Sequence, residues 1–403
     1  MQFIYTILVL LSSLTVIRAA MSNTPGSSRS EYVNYAMDVT RVLNDKWFDI
    51  ESGLWDGMWW QSANILTTMA DLASINPDFN NTANFVFKNV FTAALATNGG
   101  TWLNGYYDDE GWWAMASIKV YDVTGSTAYL SAAEEIFEDL RTGLNATCGG
   151  QWWNKDPAHV NSINNELFID VAASLGNRVQ QKRDYYRRYA EHQANWFLNA
   201  GLLTKNNTFH DGLHLATCTA EGPIFSYNQG VILGALVELS KVTGNSTWLD
   251  HATETAQGTI RTLVDHNGIF TETGEFPTHG TTAGQFKGVF ARNLAYLQSV
   301  RGDESYVALL TKSADSIWQH DRDEDGFLGP DWQGPVYGIS AAAQGSALDC
   351  LVAAAAVSAW RSPCSLESDH TECAKMVVRR KLWLASYLVV DAKISGVPSV
   401  KSR

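Results

Sequence analysis

Apolar residues over 31–48 fall at Tyr32, Tyr35, Ala36, Val39, Val42 and Leu43, the spacing of a helix with one buried face. A break at Gly53 to Gly57 follows. From 59 to 74 the chain is apolar or small on nearly every side (Ala63, Ile65, Leu66, Met69, Ala70, Leu72), as in a helix enclosed by others. The alternation recurs. One-sided helices are predicted over 82–97, 127–143, 184–200, 247–265 and 304–320, and their apolar partners start near Asp109, Asn165, Tyr227, Phe286 and Ala342. Trp60, Trp112, Glu166, Asn228, Lys287 and Gln344 mark equivalent places in a repeat of about 50 to 60 residues.

Six helical hairpins, each with one amphipathic and one largely apolar member, predict an all-α fold, the (α/α)6 barrel, with the apolar helices forming an inner ring. The inner helices run the same way, so their N-terminal ends share one face. Those ends carry Trp59, Trp60, Gln61 and Asn64; Tyr107, Asp108, Asp109 and Trp112; Asn161, Asn164, Asn165 and Glu166; Tyr227, Asn228 and Gln229; Phe286, Lys287 and Arg292; and Gln344. Asp211-Gly212-Leu213, Asn267-Gly268-Ile269 and Asp325-Gly326-Phe327 each predict a turn into a short extended piece.

The stretch Tyr106-Tyr107-Asp108-Asp109-Glu110-Gly111-Trp112-Trp113 concentrates the candidate chemistry. Aromatic faces stack on the C–H face of a pyranose. Two adjacent carboxyls cannot both ionise easily, which suits one to donate a proton and the other to act as nucleophile or base. The competing reading of either Asp is a helix N-cap. Glu166 is a rival carboxylate in the same cleft, but in an Asn-rich stretch the capping role is the favoured reading. The run from Asp321 resembles half a calcium loop, but its twelfth position is Trp332 rather than Glu, so no metal is expected. No His falls at an inner-helix head, and no phosphate loop or serine elbow occurs, so no cofactor is expected.

Across the 403 residues the net charge is −13, which argues against nucleic acid or an anionic membrane as partner. Fifteen Trp, fifteen Tyr and sixteen Phe suit a groove for a neutral polymer such as a polysaccharide. Residues 1–20 read as a signal peptide, with an apolar run from Phe3 to Ile17 but no Lys or Arg ahead of it. Residues 21–30 read as a linker, 31–360 as the catalytic domain and 361–403 as a tail without an assigned role. Asn80, Asn145, Asn206 and Asn245 begin glycosylation sequons. Of five cysteines, Cys148 with Cys218 and Cys364 with Cys373 are candidate disulfides, leaving Cys350 over.

These motifs, with 59–64, 161–168, Tyr227-Asn228-Gln229-Gly230 and 286–292, resemble glycoside hydrolase family 76 over about 31–360. The resemblance implies endo-acting, retaining hydrolysis of α-1,6-mannan, with Asp108 as nucleophile and Asp109 as acid/base. It further implies mannose subsites shaped by Trp59, Trp60, Asn64, Tyr107, Trp112, Asn161, Asn165, Tyr227, Asn228, Gln229, Lys287 and Arg292. The expected protein is a secreted or cell-wall-associated monomer without a membrane span, acting on α-1,6-mannan or cell-wall mannoprotein glycans. Fungal relatives thought to transfer glycans make transglycosylation an alternative, and a mannan-binding protein without turnover is another. Such relatives often carry a C-terminal lipid anchor. Here the apolar run at 382–390 is short and follows Arg379, Arg380 and Lys381, a poor attachment signal.

Overall fold

Ser28 accepts a hydrogen bond from the N–H of Glu31, and the Glu31 carboxylate accepts one from the Ser28 N–H across 2.7 Å. This capping box starts α1 (Arg29–Trp47) two residues before the position expected from periodicity. The computed structural model describes residues 26–274 and 280–358. The expected signal peptide, the Cys364/Cys373 pair and the tail lie outside those residues.

Eleven further helices follow: α2 (Trp59–Ile75), α3 (Asn80–Thr97), α4 (Tyr107–Thr124), α5 (Thr127–Leu140), α6 (Ser162–Arg178), α7 (Arg183–Asn199), α8 (Ser226–Thr243), α9 (Thr247–Leu263), α10 (Phe286–Val300), α11 (Glu304–His320) and α12 (Ala341–Ser358), with a single helical turn, Gly280–Ala283, ahead of α10. The predicted apolar partners therefore begin up to three residues earlier than expected. Even-numbered helices pack on one another in sequence, and α12 returns to α2, which closes the inner ring. Each inner helix also packs on the outer helix that follows it; α12 is the last helix among the described residues, and α1 packs on it in that place. Tyr32 of α1 donates to Asp315 of α11 at 2.8 Å, and Tyr35 stacks on Trp318 at 3.8 Å.

Inner helices approach closely where side chains vanish. A Cβ on Gly230 would sit 2.6 Å from the Phe290 backbone, and one on Gly288 would sit 2.7 Å from that of Ser346. Those glycines set the α8/α10 and α10/α12 spacings. The helix α12 is long and apolar enough to cross a membrane, yet it is buried within the ring.

The connections are unequal. Inner helices lead to outer ones through short turns such as Gly125–Ser126, whereas outer helices lead to inner ones through long segments such as 200–225. The long segments carry the little β-structure present: β1 (Phe48–Asp49) with β2 (Leu54–Trp55), and a three-stranded antiparallel sheet of β3 (Val160–Asn161), β4 (Gly212–His214) and β5 (Thr219–Glu221). Five hairpins share one device, a polar side chain near the start of the inner helix that accepts a loop N–H. The pairs are Trp55 to Ser62 (3.0 Å), Asn104 to Glu110 (2.8 Å), Gln151 to Asn165 (2.8 Å), Phe209 to Gln229 (2.8 Å) and Leu328 to Gln344 (2.8 Å). Buried backbone donors need such partners, so much of the polarity at the helix heads serves the loops.

Candidate active site

The first turn of α4 presents Asp108 and Asp109 half-buried at the head of the inner ring. The N-cap residue is Tyr106, and neither Asp caps the helix. The α4 start is tied to the 144–161 loop: Tyr107 N–H donates to the Trp153 carbonyl at 3.0 Å, and Tyr106 bridges Asn154. Burial raises the Asp108 pKa first, the charge of Asp109 second, and a hydrogen bond from the Trp153 side chain opposes both. Burial also raises Asp109, opposed by the Asn104 amide, which donates to Oδ2 at 2.7 Å. Two carboxyls this close and this dry share protons rather than ionise independently.

Across the ring lies an aromatic band. Trp60 faces Trp112 at 6.1 Å and Phe286 at 6.3 Å, and Phe286 stacks on Tyr227 at 3.9 Å with nearly parallel rings. These contacts join the heads of α2, α4, α8 and α10. Trp59 packs beside them on Trp113 at 4.7 Å.

Asp211, read from sequence only as part of a turn, is the missed residue. Its carboxylate accepts from Asn228 at 3.1 Å, Asn161 at 3.2 Å and Tyr227 at 3.4 Å, gathering three expected site residues around one acidic group. Burial raises its pKa against those three donors. Glu166 is fully buried, and neither carboxyl oxygen has a hydrogen-bond partner among the described residues. Burial, then the Asp211 charge, drives its pKa well up. Glu166 does not cap the helix: it is a fully buried carboxyl whose burial, and then the charge of Asp211, favour its neutral form.

Six expected subsite residues have partners within the fold. Asn165 grips the Gln151 and Asn161 backbone and accepts from Gln193 at 2.5 Å; Gln229 brackets Phe209 through both its N–H and its carbonyl. Arg292 pairs with buried Asp349 at 2.9 Å and donates to Asn64, so both belong to the layer under the floor. Lys287 is buried over the Trp332 ring at 4.8 Å. Tyr107 points outward, its hydroxyl 3.0 Å from Thr142. The reason is common to all six: a polar side chain at a buried helix head meets a loop or a neighbouring helix before it meets solvent.

Beneath the floor a cavity of about 30 Å³ is lined by Trp112, Lys119, Asp170 and Arg292 among others. The Asp323 carboxylate closes its own turn by accepting from Asp325 and Phe327 N–H groups. Cys148 and Cys218 are joined, tying the 144–161 loop to the β4–β5 hairpin that follows Asp211. Asn80, Asn145, Asn206 and Asn245 are all exposed.

A double helix ring with an acidic pair and an aromatic band at the inner-helix heads is the architecture of a carbohydrate-active barrel. The chain belongs to glycosyl hydrolase family 76, whose sequence profile it matches over residues 49–369. It is 25% identical over 207 residues to mannan endo-1,6-alpha-mannosidase DFG5 of Saccharomyces cerevisiae, a match covering 46% of this chain and 44% of that protein. Among solved structures it resembles an inactive variant of the alpha-1,6-mannanase GH76A of Salegentibacter sp. HEL1_6, with two consecutive aspartates replaced, in complex with alpha-1,6-mannotriose. The TM-score is 0.72 at 20% identity, covering 80% of this chain and 99% of that one. It also resembles Dfg5 from Chaetomium thermophilum in complex with glucosamine, with a TM-score of 0.68 at 18% identity and coverages of 84% and 92%.

Proposed function

We propose that the chain is a secreted or cell-wall-associated, endo-acting glycosidase that cleaves α-1,6-mannosidic linkages with retention of configuration. The observation that carries this is the Asp108–Asp109 pair, both members raised in pKa, at the head of α4 beside the Trp60, Trp112, Phe286 and Tyr227 band. In this reading Asp108 attacks the anomeric carbon while Asp109 protonates the departing oxygen; Asp109 then takes a proton from the water that releases the sugar. The reactive complex holds the shared proton on Asp109. The Trp153 hydrogen bond to Asp108 favours that arrangement, while burial and the Asp109 charge oppose it. Asp211, Asn161 and Asn228 offer acceptors and donors for sugar hydroxyls.

Support for the substrate comes from relatives named as α-1,6-mannan enzymes, and from a mannanase inactivated at two consecutive aspartates. Support for secretion comes from the disulfide and four exposed sequon asparagines. The test is product analysis of linear α-1,6-mannan incubated with the protein and with Asp108→Asn and Asp109→Asn variants. Short mannooligosaccharides from the parent, lost in both variants, are expected. Intact polymer in every sample, with and without an added acceptor oligosaccharide, refutes the assignment; longer products with acceptor indicate transfer by the same pair.

A further inference from the structure

Glu110 directly follows the acidic pair, yet it turns the other way. Successive residues on a helix point about 100° apart. Asp109 is half-buried at the cleft, whereas Glu110, in the same first turn of α4, is fully buried. The proposed chemistry leaves it unused. Its Oε1 accepts the Asn104 N–H at 2.8 Å and lies 2.7 Å from Lys155 Nζ, which is also 2.7 Å from Asp139 Oδ2 at the end of α5. Lys155 holds the same segment by its backbone, its N–H donating to the Gly105 carbonyl at 2.9 Å. These contacts converge on Asn104, which lies ahead of the helix in the connection from α3 to α4. Its N–H is held by Glu110, its Oδ1 accepts the Tyr106 N–H at 2.8 Å, and its side-chain amide reaches Asp109 Oδ2 at 2.7 Å.

We infer that Glu110 is a positioning residue for the general acid: by gripping the Asn104 backbone, and being gripped in turn by Lys155, it holds the Asn104 amide against Asp109. This rests on the proposed glycosidase reading, in which Asp109 protonates the departing oxygen. A proton donor must stay within hydrogen-bond reach of that oxygen, and a carboxyl at the edge of a cleft keeps one orientation when a fixed neighbour holds it. Burial, then the hydrogen bond with Asp139, drives Glu110 toward its neutral form, with Lys155 opposing. An accepting carbonyl oxygen is all that the Asn104 N–H requires, so a glutamine at this position serves equally.

The test separates protonation from the other things a buried residue supports. Two substrates are compared. One is linear α-1,6-mannan, whose leaving sugar oxygen needs a proton. The other is α-1,6-mannobiosyl fluoride, from which Asp108 displaces fluoride; the C–F electron pair leaves on a weakly basic ion that needs none. For both, kcat/KM reports the first displacement. Glu110→Ala is expected to lower kcat/KM on mannan about tenfold and to change it on the fluoride by less than about twofold, and Glu110→Gln restores the mannan value. The ratio of the two rates is independent of how much protein is folded. If Glu110→Ala does not fold, Glu110→Leu, which fills the space without an acceptor, takes its place. In an Asn104→Ala background the Glu110 substitution should add less than about twofold, because both residues act through one contact. Equal losses on both substrates, no loss on mannan, no rescue by Glu110→Gln, or full additivity with Asn104→Ala overturns the positioning role and leaves the glycosidase reading standing. A parent protein that neither cleaves mannan nor releases fluoride, with or without an acceptor oligosaccharide, overturns that reading and this inference with it.

Discussion

The side-chain amide of Asn104 donates to Oδ2 of Asp109 across 2.7 Å. Asn104 is itself fixed from two directions: its N–H donates to buried Glu110, and its own carbonyl oxygen Oδ1 accepts from the Tyr106 N–H at 2.8 Å. The amide stabilises the Asp109 anion, so its removal raises the Asp109 pKa further. If Asp109 is the acid, kcat/KM of the parent is bell-shaped with both limbs above the ordinary Asp range, and Asn104→Ala moves the alkaline limb to higher pH. Rates on α-1,6-mannan across pH check this. An alkaline limb that stays in place excludes Asn104 as a partner of the acid.

Stability should depend on pH in the direction opposite to acid denaturation. Burial raises Glu110 to about 8, Asp170 and Glu272 to about 7, and Asp349 to about 6, burial being the first cause in each. In the unfolded chain these groups ionise near pH 4, so between about pH 4 and 8 the folded state binds more protons and stability falls as pH rises. Glu238, held low mainly by Arg178 against its burial, acts the other way only in stronger acid. Thermal unfolding should give a higher Tm near pH 5 than near pH 8, and the reverse order would show that these carboxyls do not stay protonated.

Gln229 separates a loop-holding role from a substrate role. Gln229→Ala leaves the Phe209 N–H and carbonyl without their buried partners, a cost of about 1–3 kcal/mol in stability. The expected outcome is a lowered Tm with KM for mannan unchanged; a raised KM at undiminished stability would return Gln229 to the subsites.

The Cys148–Cys218 bond closes a loop with a sequence separation of 70. Replacing both cysteines by Ser should cost about 2–4 kcal/mol by freeing the unfolded chain. Because the loop carries Trp153, activity should fall more steeply than stability on warming, which parallel activity and unfolding curves would contradict.

The ring was legible because its rule is local and repeated: one-sided helix, break, all-apolar helix. Asp108 and Asp109 were legible because adjacent carboxyls between aromatics are chemically distinctive. The remaining polar heads were not separable. Asn161 and Asn165 lie four residues apart on one helix start, yet one reaches Asp211 and the other the Gln151 backbone. An amide carries the same groups in either role, and the direction of its side chain depends on loops far along the chain. Asp211 was obscured for a similar reason, since Asp before Gly is a turn signal wherever it occurs. Trp153 drew notice only as part of an aromatic excess, whereas Tyr106 stood out as a neighbour of the acidic pair.

The placement of α1 against α12 and α11 has a bearing on synthesis. The first of the described helices to be made is the last to find its inner-ring partner, because some 300 residues must be completed before α12 exists. Until then Tyr32, Ala36, Val39 and Leu43 have no core to enter, and α12 has an uncovered flank. The final contact in the ring is thus also the most distant in sequence, so each growing chain passes through an open-ring stage whose two sticky edges are the ends that later meet.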